Sequence, residues 1–449
     1  MQTKIDHLVR GISDKTIARR RDFHQYAETA WTEFRTASIV ADTLTNLGYE
    51  VLAGEEVLDS NAMMGVPAEE ELVRHAQRAL SQGANPVWVQ KMQGGKTGVV
   101  GVMTFINPGP TVTLRFDMDA NDGVEAMDKR HRPYKEGFAS INQGAAHACG
   151  HDGHIAIGLS VAEILAGLKN ELGGKVKLIF QPAEEGARGA KPMAAKGIAD
   201  NSDYLLGMHL GLKLVKTGQF AGNVNGFLAT SKCDAIFTGV PAHAGVSPEA
   251  GRNALLAAAT AVLNLHAISR HSRGLSRINV GQMHAGTGWN VIPASAVIKF
   301  ETRGTTNEIN EYMVTEAQRM IEGAALMHGV KVNISEMGGA ASCSNSPGLV
   351  TVIEQVARRL GIFREIMQSC DFGASEDCTY FMDRVQQSGG QAAYIVVGAD
   401  LAAGHHDCYF DFDEKSLDLS VVLLSNLAVE LLLKHVWGSM RNPPNFLTM

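Results

Sequence analysis

Apolar and polar residues follow a helical period at the start of the chain and a strand period afterwards. From Asp14 to Leu47 the apolar positions recur at helical spacing and Gly48 supplies a stop, so we predict one long helix there. Runs rich in Val, Leu and Ile then predict buried strands, with helical segments such as IAIGLSVAEILAGL between them. The strand runs are TGVVGVMTFI, TVTLRFDMDA, KVKLIFQPAEE and YLLGMHLG. This alternation predicts an α/β fold with a mixed sheet covered by helices on both sides.

A second pattern begins near Gly222. Strand-like runs in CDAIFTGVPAHAG, SRINVGQMHAG and ASAVIKFETRG alternate with the helical segments GRNALLAAATAVLNLHAI and EINEYMVTEAQRMIEGAALMHG. We predict an inserted, smaller α+β domain over 222–340, with two helices on a four-stranded sheet. The segment MGGAASCSNSP leads back, so 1–221 and 341–449 together form a discontinuous catalytic domain.

Residues 55–96 interrupt an otherwise short passage between two predicted strands. The run PAEEELVRHAQRALSQG has a helical pattern, and NPVWVQKMQGGKTG indicates an ordered loop. Two interpretations stay open. The segment either shapes a substrate pocket or binds a partner, or it is a surface elaboration without a function.

Composition narrows the class of protein. A chain of 449 residues predicts two domains, and a net charge of -7 without a basic stripe disfavours nucleic acid as a partner. The N-terminus has no apolar region, and VVLLSNLAVELLLKHVW is too short and interrupted for a bilayer span, so we predict a cytoplasmic protein without a membrane partner. The six cysteines are widely separated, without CxxC, which disfavours a disulfide framework. Small-molecule or protein partners fit better.

The stretch HACGHDGH, residues 147–154, concentrates metal-binding side chains. Cys149 and His151 lie two apart in a loop, where both side chains can turn towards one ion. We expect Asp152 to cap a helix that starts at Gly153. The alternative is a buried cysteine with hydrogen-bonded histidines at a helix start.

Further donors follow the predicted strands, at the edge of the sheet where α/β enzymes gather their chemistry. In QPAEEG, Pro182 and Gly186 bracket two adjacent carboxylates, of which one could bind metal while the other acts as a general base. Each feature also has an alternative interpretation without a function. Paired glutamates are often solvated surface residues, and a lone histidine is often a hydrogen-bonded core residue. The strand-end donors are Asp117, Asp119, Glu184, Glu185, His209, His405 and His406.

Taken in this order and spacing, HACGHDGH, LRFDMDA, QPAEEG, GMHLG and PAHAG resemble the M20 metallopeptidase family. The resemblance covers nearly the whole chain and is greatest to the amidohydrolase branch, which includes hippurate hydrolase and auxin-conjugate hydrolases. It implies two divalent metal ions per active site, either manganese or zinc, and Glu184 as the base. The implied ligands are Cys149, His151, Glu185, His209 and His406, the last preferred over His405.

The resemblance assigns roles outside the ligand set. It implies that the inserted domain mediates dimerisation and that His243, in the AHAG motif, reaches a neighbouring subunit to stabilise the oxyanion. Asn290 matches a position near the substrate, and Arg303 is expected to clamp a substrate carboxylate, although a surface role fits it almost equally. Asp117 and Asp119 are expected to orient the ligands through hydrogen bonds, although both could be strand-end caps. Here DMDANDG replaces the usual DMDALP, so the loop after Asp119 differs.

The implied activity is hydrolysis of an amide between an aromatic acyl group and an amino acid. Within the branch, the 55–96 segment, SCDFGASEDCTYFM and GHHDCYFDFDE most resemble enzymes that cleave p-aminobenzoyl-glutamate, a folate breakdown product, and this resemblance implies that conjugate as the substrate. A homologous sister subunit, or a second copy bound through the inserted domain, is the implied partner. The alternatives are a general N-acyl-amino-acid amidohydrolase or dipeptidase, and a regulatory subunit that is inactive without its partner.

Overall fold

A computed structural model describes residues 1–440, with side chains described as far as residue 433, so residues 441–449 of the predicted catalytic domain lie outside the described residues. The α-helices are α1 (Gln2–Gln25), α2 (Phe34–Asn46), α3 (Glu69–Ser81), α4 (Pro86–Lys91), α5 (Arg132–Glu136), α6 (His151–Gly167), α7 (Ala190–Ala195), α8 (Ala254–His266), α9 (Asn307–His328), α10 (Pro347–Leu360), α11 (Thr379–Gln387) and α12 (Lys415–Met440). The strands are β1 (Glu50–Ala53), β2 (Val99–Thr104), β3 (Asn107–Asp117), β4 (Asn121–Asp122), β5 (Ala145–Ala146), β6 (Gly173–Gln181), β7 (Tyr204–Leu210), β8 (Gln219–Ala221), β9 (Val224–Asn225), β10 (Ala229–Thr238), β11 (Ser276–Ala285), β12 (Ser295–Gly304), β13 (Lys331–Ala340), β14 (Glu365–Met367), β15 (Cys370–Asp371) and β16 (Gln391–Val397).

A large mixed sheet forms the centre of the catalytic domain. Its strand order is β1-β2-β6-β3-β7-β16-β8-β14. The four central strands β6, β3, β7 and β16 run parallel, whereas β2 and β8 pair antiparallel with this group. The parallel strands are the apolar runs of the sequence, because a strand covered on both faces has no solvated side. The predicted mixed sheet is confirmed.

Helices cover both faces of this sheet. Successive residues of a strand point to opposite faces, so Phe116 and Arg115 of β3 lie on different sides. Phe116 packs against α6 so closely that a Cβ atom on Gly158 would lie 2.7 Å from its ring. On the other face, Arg115 donates to Asp377, which lies just before α11. The predicted covering of the sheet is confirmed.

The inserted domain is a separate four-stranded antiparallel sheet with the order β11-β12-β10-β13. Helices α8 and α9 pack on it and share its own apolar core. This agrees with the predicted α+β insertion of two helices on four strands. The sheet begins at Ala229, later than the predicted boundary at residue 222, because Val224 and Phe227 pack in the core of the large domain.

The N-terminal region contains two helices, so the single helix predicted from Asp14 to Leu47 is wrong. α1 ends at Gln25 and α2 begins at Phe34, with Trp31 between them at a φ of 67°. The break is held by a buried carboxylate at Glu33, which accepts hydrogen bonds from the Ala183 backbone at 2.8 Å and the Thr97 hydroxyl at 2.6 Å. These partners are distant in sequence, so helical periodicity alone could not reveal the break.

The C-terminal helix α12 is longer than the apolar run read from the sequence. Its stretch Lys415–Leu433 is long and apolar enough to cross a membrane by length and composition, so the prediction that it is too short is wrong. However, 72% of that stretch is buried inside the fold, against α1, α6 and β3. Its apolar character is therefore that of a core helix packed on the sheet.

A buried ionic cluster joins α1 to the start of α6 and to the segment before α12. Arg20 is fully buried, and its guanidinium donates to Asp152 at 2.7 Å, to Asp411 at 2.8 Å and to Glu414 at 3.3 Å. These carboxylates outweigh the cost of burial and raise the pKa of Arg20 above its usual value. The guanidinium also lies 4.4 Å from the centre of the Phe412 ring. Arg20 thus joins three segments that are distant in sequence, next to the HACGHDGH stretch.

We expect Arg20→Ala to lower the free energy of unfolding by about 3–5 kcal/mol, because it leaves buried carboxylates without their cation. Arg21→Ala is the matched control: Arg21 is partly exposed, so its loss should cost at most about 1 kcal/mol. Urea denaturation followed by circular dichroism measures both variants. Equal effects would contradict the special role of the buried residue.

Candidate functional site

The HACGHDGH stretch forms a tight loop that runs directly into α6. Gly150 adopts a φ of 91° and caps the helix, which begins at His151. The predicted helix start at Gly153, with Asp152 as its cap, is therefore wrong. Asp152 lies in the first turn, where it binds Arg20 and the His24 ring at 2.8 Å. A left-handed glycine between Cys149 and His151 lets both side chains face one point.

Five of the predicted donors converge into two groups that share a sulfur atom. In each group the donor atoms lie within 4.8 Å of one another. Because Cys149 belongs to both groups, the arrangement suits two neighbouring cations with a common ligand. The first group is Cys149, His151 and His209, and the second is Cys149, Glu185 and His406.

Backbone carbonyls orient two of the histidines. His151 donates from Nδ1 to the Asp119 carbonyl at 2.8 Å, and His209 donates from Nδ1 to the Leu210 carbonyl at 2.7 Å. Since a carbonyl only accepts, each Nδ1 carries a proton and each Nε2 is left to bind a cation. The Nε2 of His209 lies 3.5 Å from the Cys149 sulfur.

The surroundings of His151 favour a positive charge, whereas burial lowers the pKa of His209 well below its usual value and keeps that ring neutral. Burial opposes a charge on His151, but Asp117 and Asp119 outweigh it and raise the pKa of His151 well above its usual value. Among the described residues, His151 Nε2 and Glu185 Oε1 are buried without a hydrogen-bond partner. Burial, reinforced by Glu185, raises the pKa of the Cys149 thiol, so a thiolate there requires a cation beside it. The donor set therefore fits divalent metal ions.

Asp119 holds the turn that carries the two adjacent glutamates. Its carboxylate accepts the backbone N–H of Glu184 at 2.9 Å and that of Glu185 at 2.8 Å. The turn is tight, because Ala183 has a φ of 52° and Gly186 a φ of 92°. Consecutive glutamates on such a turn need not alternate as strand residues do.

The two glutamates differ in charge preference. Burial, reinforced by Glu376, raises the pKa of Glu184 well above its usual value. Burial also opposes ionisation of Glu185, but His406 and His151 outweigh it and lower the pKa of Glu185 to about 2. This difference suits a proton-accepting role for Glu184 and a cation-binding role for Glu185.

His405 and His406 lie in different surroundings. His405 Nε2 lies 3.3 Å from the Leu210 carbonyl, and its ring packs against Phe410. Burial lowers the pKa of His405 to about 4. His406 has a φ of 66°, and its Nε2 lies 3.5 Å from Glu185 Oε1. This geometry favours His406 as the ligand and His405 as a packing residue.

Asp117 belongs to a buried chain of polar groups under the donors. It accepts a hydrogen bond from Arg115 at 2.6 Å and another from His154 Nδ1 at 2.5 Å. His154 Nε2 accepts the backbone N–H of Leu210, next to His209. The sequence patterns did not predict that His154 and Glu33 support the site through hydrogen bonds. The repeat of histidines in HDGH was the available signal for His154, whereas Glu33 had none.

The remaining predicted residues lie on the inserted domain. His243 and Asn290 occupy adjacent loops, joined by a hydrogen bond from the Ala244 N–H to the Asn290 carbonyl at 2.9 Å. Both side chains are exposed, and no hydrogen bond or ion pair within residues 1–433 joins them to the metal-binding donors. Arg303 is bound by Glu301 through two contacts, at 3.0 and 3.1 Å, beside a cavity of about 470 Å³. A substrate carboxylate would have to compete with Glu301 for it.

Several known proteins are similar to this chain in sequence and in fold. Residues 113–430 match the model of peptidase family M20/M25/M40. A subunit of the p-aminobenzoyl-glutamate hydrolase of Escherichia coli (strain K12) is 49% identical over 95% of this chain and 98% of that protein. The indole-3-acetyl-aspartic acid hydrolase of Enterobacter agglomerans is 48% identical over 95% and 98% of the two chains. The crystal structure of an aminobenzoyl-glutamate utilization protein from Klebsiella pneumoniae matches with a TM-score of 0.82 and 40% identity, over 95% of this chain and 98% of that one.

We expect Asp119→Asn to lower the free energy of unfolding by about 1–3 kcal/mol, because the amide retains one acceptor oxygen for two buried N–H groups. Asp122→Asn is the matched control, since Asp122 is exposed on the adjoining strand and should change stability by less than about 0.5 kcal/mol. Chemical denaturation measures both. An unchanged midpoint for Asp119→Asn would contradict the clamping role.

Proposed function

We propose that this chain, which belongs to peptidase family M20/M25/M40, hydrolyses p-aminobenzoyl-glutamate to p-aminobenzoate and glutamate. Membership of the family confirms the resemblance read from the motifs and makes the chain a hydrolase. The observation that carries the substrate is 49% identity to the Escherichia coli p-aminobenzoyl-glutamate hydrolase chain, over almost the full length of both proteins. The structural match to an aminobenzoyl-glutamate utilization protein supports the same substrate.

The proposed site holds two divalent ions, zinc or manganese, between the two donor groups. Thiolate and imidazole favour zinc, whereas carboxylate-containing sites also accept manganese. Bound ions supply a polarised substrate carbonyl and an activated water. The proposed ligands are Cys149, His151, Glu185, His209 and His406.

Glu184 is the proposed general base, and its surroundings support that role. Its side chain is largely buried, and burial raises the pKa of Glu184, which makes its ionised carboxylate a stronger base towards the proton of the attacking water. The water oxygen bonds to the amide carbon, the C–N bond breaks, and Glu184 returns the proton to the departing nitrogen. Asp119 contributes by fixing the turn on which Glu184 lies.

A partner subunit is part of the proposal. The Escherichia coli relative is named as one subunit of its hydrolase, which implies a second subunit there, and we infer either a homologous sister chain or a second copy here. His243 is exposed on the inserted domain, which supports its proposed role as the oxyanion donor in a neighbouring active site. Asn290, in the adjacent loop, is the proposed substrate contact on the same surface. We propose that the enzyme works in the cytoplasm.

A second candidate substrate has its own support. The indole-3-acetyl-aspartic acid hydrolase, which is 48% identical, is named for a conjugate whose acyl group and amino acid both differ from those of p-aminobenzoyl-glutamate. A general N-acyl-amino-acid hydrolase would use the same residues. Relative rates on p-aminobenzoyl, indole-3-acetyl and aliphatic acyl conjugates separate these candidates. If the chain is a regulatory subunit that is inactive without its partner, hydrolysis should be measurable only after the sister chain is added.

The proposed activity is tested by stripping the purified chain of metal, reloading it with zinc or manganese, and measuring release of p-aminobenzoate from p-aminobenzoyl-glutamate. We expect release only after reloading. The assay is run with and without the sister chain, because a histidine supplied in trans would make the rate depend on it. Hydrolysis of other conjugates with no release of p-aminobenzoate would overturn the substrate and retain the chemistry.

We expect Glu184→Gln to lower kcat by about 10²–10⁴-fold, because the amide cannot accept the proton of the attacking water. Its metal content should equal that of the wild type, since the ligands are intact. Glu70→Gln, on the exposed face of α3, is the control and should be fully active. Full activity of the metal-loaded Glu184→Gln enzyme would contradict the assignment of Glu184 as the general base.

Metal stoichiometry tests the shared ligand. We expect two ions per wild-type chain after reloading, fewer than one in Cys149→Ala, and one in His406→Ala, because Cys149 contributes to both donor groups. His405→Phe is the matched control and should keep two, since its ring packs against Phe410. Elemental analysis by mass spectrometry gives the counts. Two ions in Cys149→Ala would exclude a shared thiolate.

A further inference from the structure

A cleft of about 410 Å³ lies between the glutamate-bearing turn and the sheet of the inserted domain. Gly186, which directly follows Glu185, lines it from the catalytic side, and Lys232 of β10 lines it from the other. The two sides are in close contact, because a Cβ atom on Gly338 would lie 2.2 Å from the Gly186 carbonyl oxygen. Lys232 is paired in the sheet with Gly338. The cleft therefore adjoins the proposed catalytic residues.

Arg188 lines the same cleft and is rigidly held. It donates from Nε and Nη2 to the Glu185 carbonyl, at 3.2 and 3.0 Å, and from Nη1 to the Gly65 carbonyl at 3.2 Å. Gly65 belongs to the 55–96 segment and has a φ of 60°. These contacts are all to neutral carbonyl oxygens, so they fix the guanidinium without neutralising its charge.

The charges around the cleft do not cancel. Of its acidic residues, Asp234 is paired with Lys299 at 3.2 Å and Glu301 is paired with Arg303 at 3.0 Å. Among the described residues, no carboxylate lies within ion-pair distance of Arg188 or Lys232. Arg188 and Lys232 thus make no ion pair, and the carboxylate opposite Lys232 in the sheet, Glu301, is held by Arg303. A partly buried guanidinium without an anion is a ready site for a carboxylate, which it can bind with two parallel hydrogen bonds.

We propose that Arg188 and Lys232 bind the two carboxylates of an acidic amino acid, and so restrict this enzyme to N-acyl conjugates of dicarboxylic amino acids. The inference rests on the proposed amidohydrolase function and adds its specificity. The two relatives near 49% identity are named for conjugates with different acyl groups, yet both conjugates carry a dicarboxylic amino acid, glutamate or aspartate. Two free cations match two carboxylates. Arg303, already bound by Glu301, is the weaker candidate.

The test compares three substrates that share the p-aminobenzoyl group: the glutamate conjugate, the glutamine conjugate and the glutamate α-amide conjugate. Each amide lacks one carboxylate charge. The variants are Arg188→Gln, Arg188→Lys and Lys232→Gln, with Lys191→Gln as the control because Lys191 is paired with Glu336 at 2.7 Å. Steady-state kinetics give kcat and KM. Titration calorimetry in the Glu184→Gln background gives binding without turnover.

We expect the wild type to prefer the glutamate conjugate over each amide by at least about 10-fold, mainly in KM and in binding. Arg188→Gln should lower kcat/KM for the glutamate conjugate by about 10- to 100-fold, but by less than about threefold for the amide that lacks the carboxylate bound by Arg188. Lys232→Gln should show this pattern with the other amide. Arg188→Lys, which keeps the charge, should recover part of the loss, and Lys191→Gln should match the wild type.

Equal losses on all three conjugates in Arg188→Gln and Lys232→Gln would overturn the proposal, because such losses indicate a structural role. So would a wild type that binds the glutamate and glutamine conjugates equally, and that result leaves the proposed hydrolysis intact. If only indole-3-acetyl-aspartate is cleaved, the proposed substrate fails, and the aspartate and asparagine conjugates then decide the specificity. Binding by calorimetry decides it for a chain without turnover.

Discussion

Asp119 is the residue on which the geometry of the site depends. Its carboxylate holds the backbone of Glu184 and Glu185, and its own carbonyl accepts the hydrogen bond that orients His151. One residue therefore fixes the general-base candidate and two ligand candidates relative to each other. It can do so because it follows β3, in the middle of the sheet, where the neighbouring strand ends leave it buried. Buried donors that pair with a charged acceptor form the stronger class of hydrogen bond.

The sheet order explains why donors distant in sequence meet. Four adjacent parallel strands end at one edge: β6 before the two glutamates, β3 before Asp119, β7 at His209, and β16 before the loop that carries His406. This is the edge where open α/β sheets place their chemistry. Apolar runs followed by acidic or histidine residues were therefore sufficient to predict the fold class and several of the residues that converge there. Cys149 and His151 came from the HACGHDGH stretch, and the choice of ligands came from the family resemblance.

Other features could not be predicted from the sequence because they depend on contacts between residues that are brought together only by the fold. The break between α1 and α2 is held by the hydrogen bond from the Ala183 backbone to Glu33. The residues near Glu33 in the sequence do not indicate that Ala183 is its partner. Likewise, the chemistry of arginine favours Arg303 as a clamp for a substrate carboxylate, but Glu301, two residues earlier on the same strand, already binds it. Periodicity predicts on which face of a helix or strand a residue lies. It does not predict which charged side chain will be its partner.

The turn at residues 183–189 is also where the 55–96 segment and the inserted domain meet. The 55–96 segment reaches it through the Gly65 carbonyl bound to Arg188, and β13 reaches it through a hydrogen bond from the Gly339 N–H to the Ala187 carbonyl at 2.7 Å. The candidate ligands come from the large domain, whereas the cleft beside them is lined mainly by the inserted domain, with Gly186 and Arg188 on the opposite side. The proposed chemistry and specificity are thus only partly separable, because Arg188 lies on the same turn as the two glutamates and donates to the Glu185 carbonyl. A change in the insertion or in β10 can alter which amino acid is bound, while Asp119 keeps the donors in place.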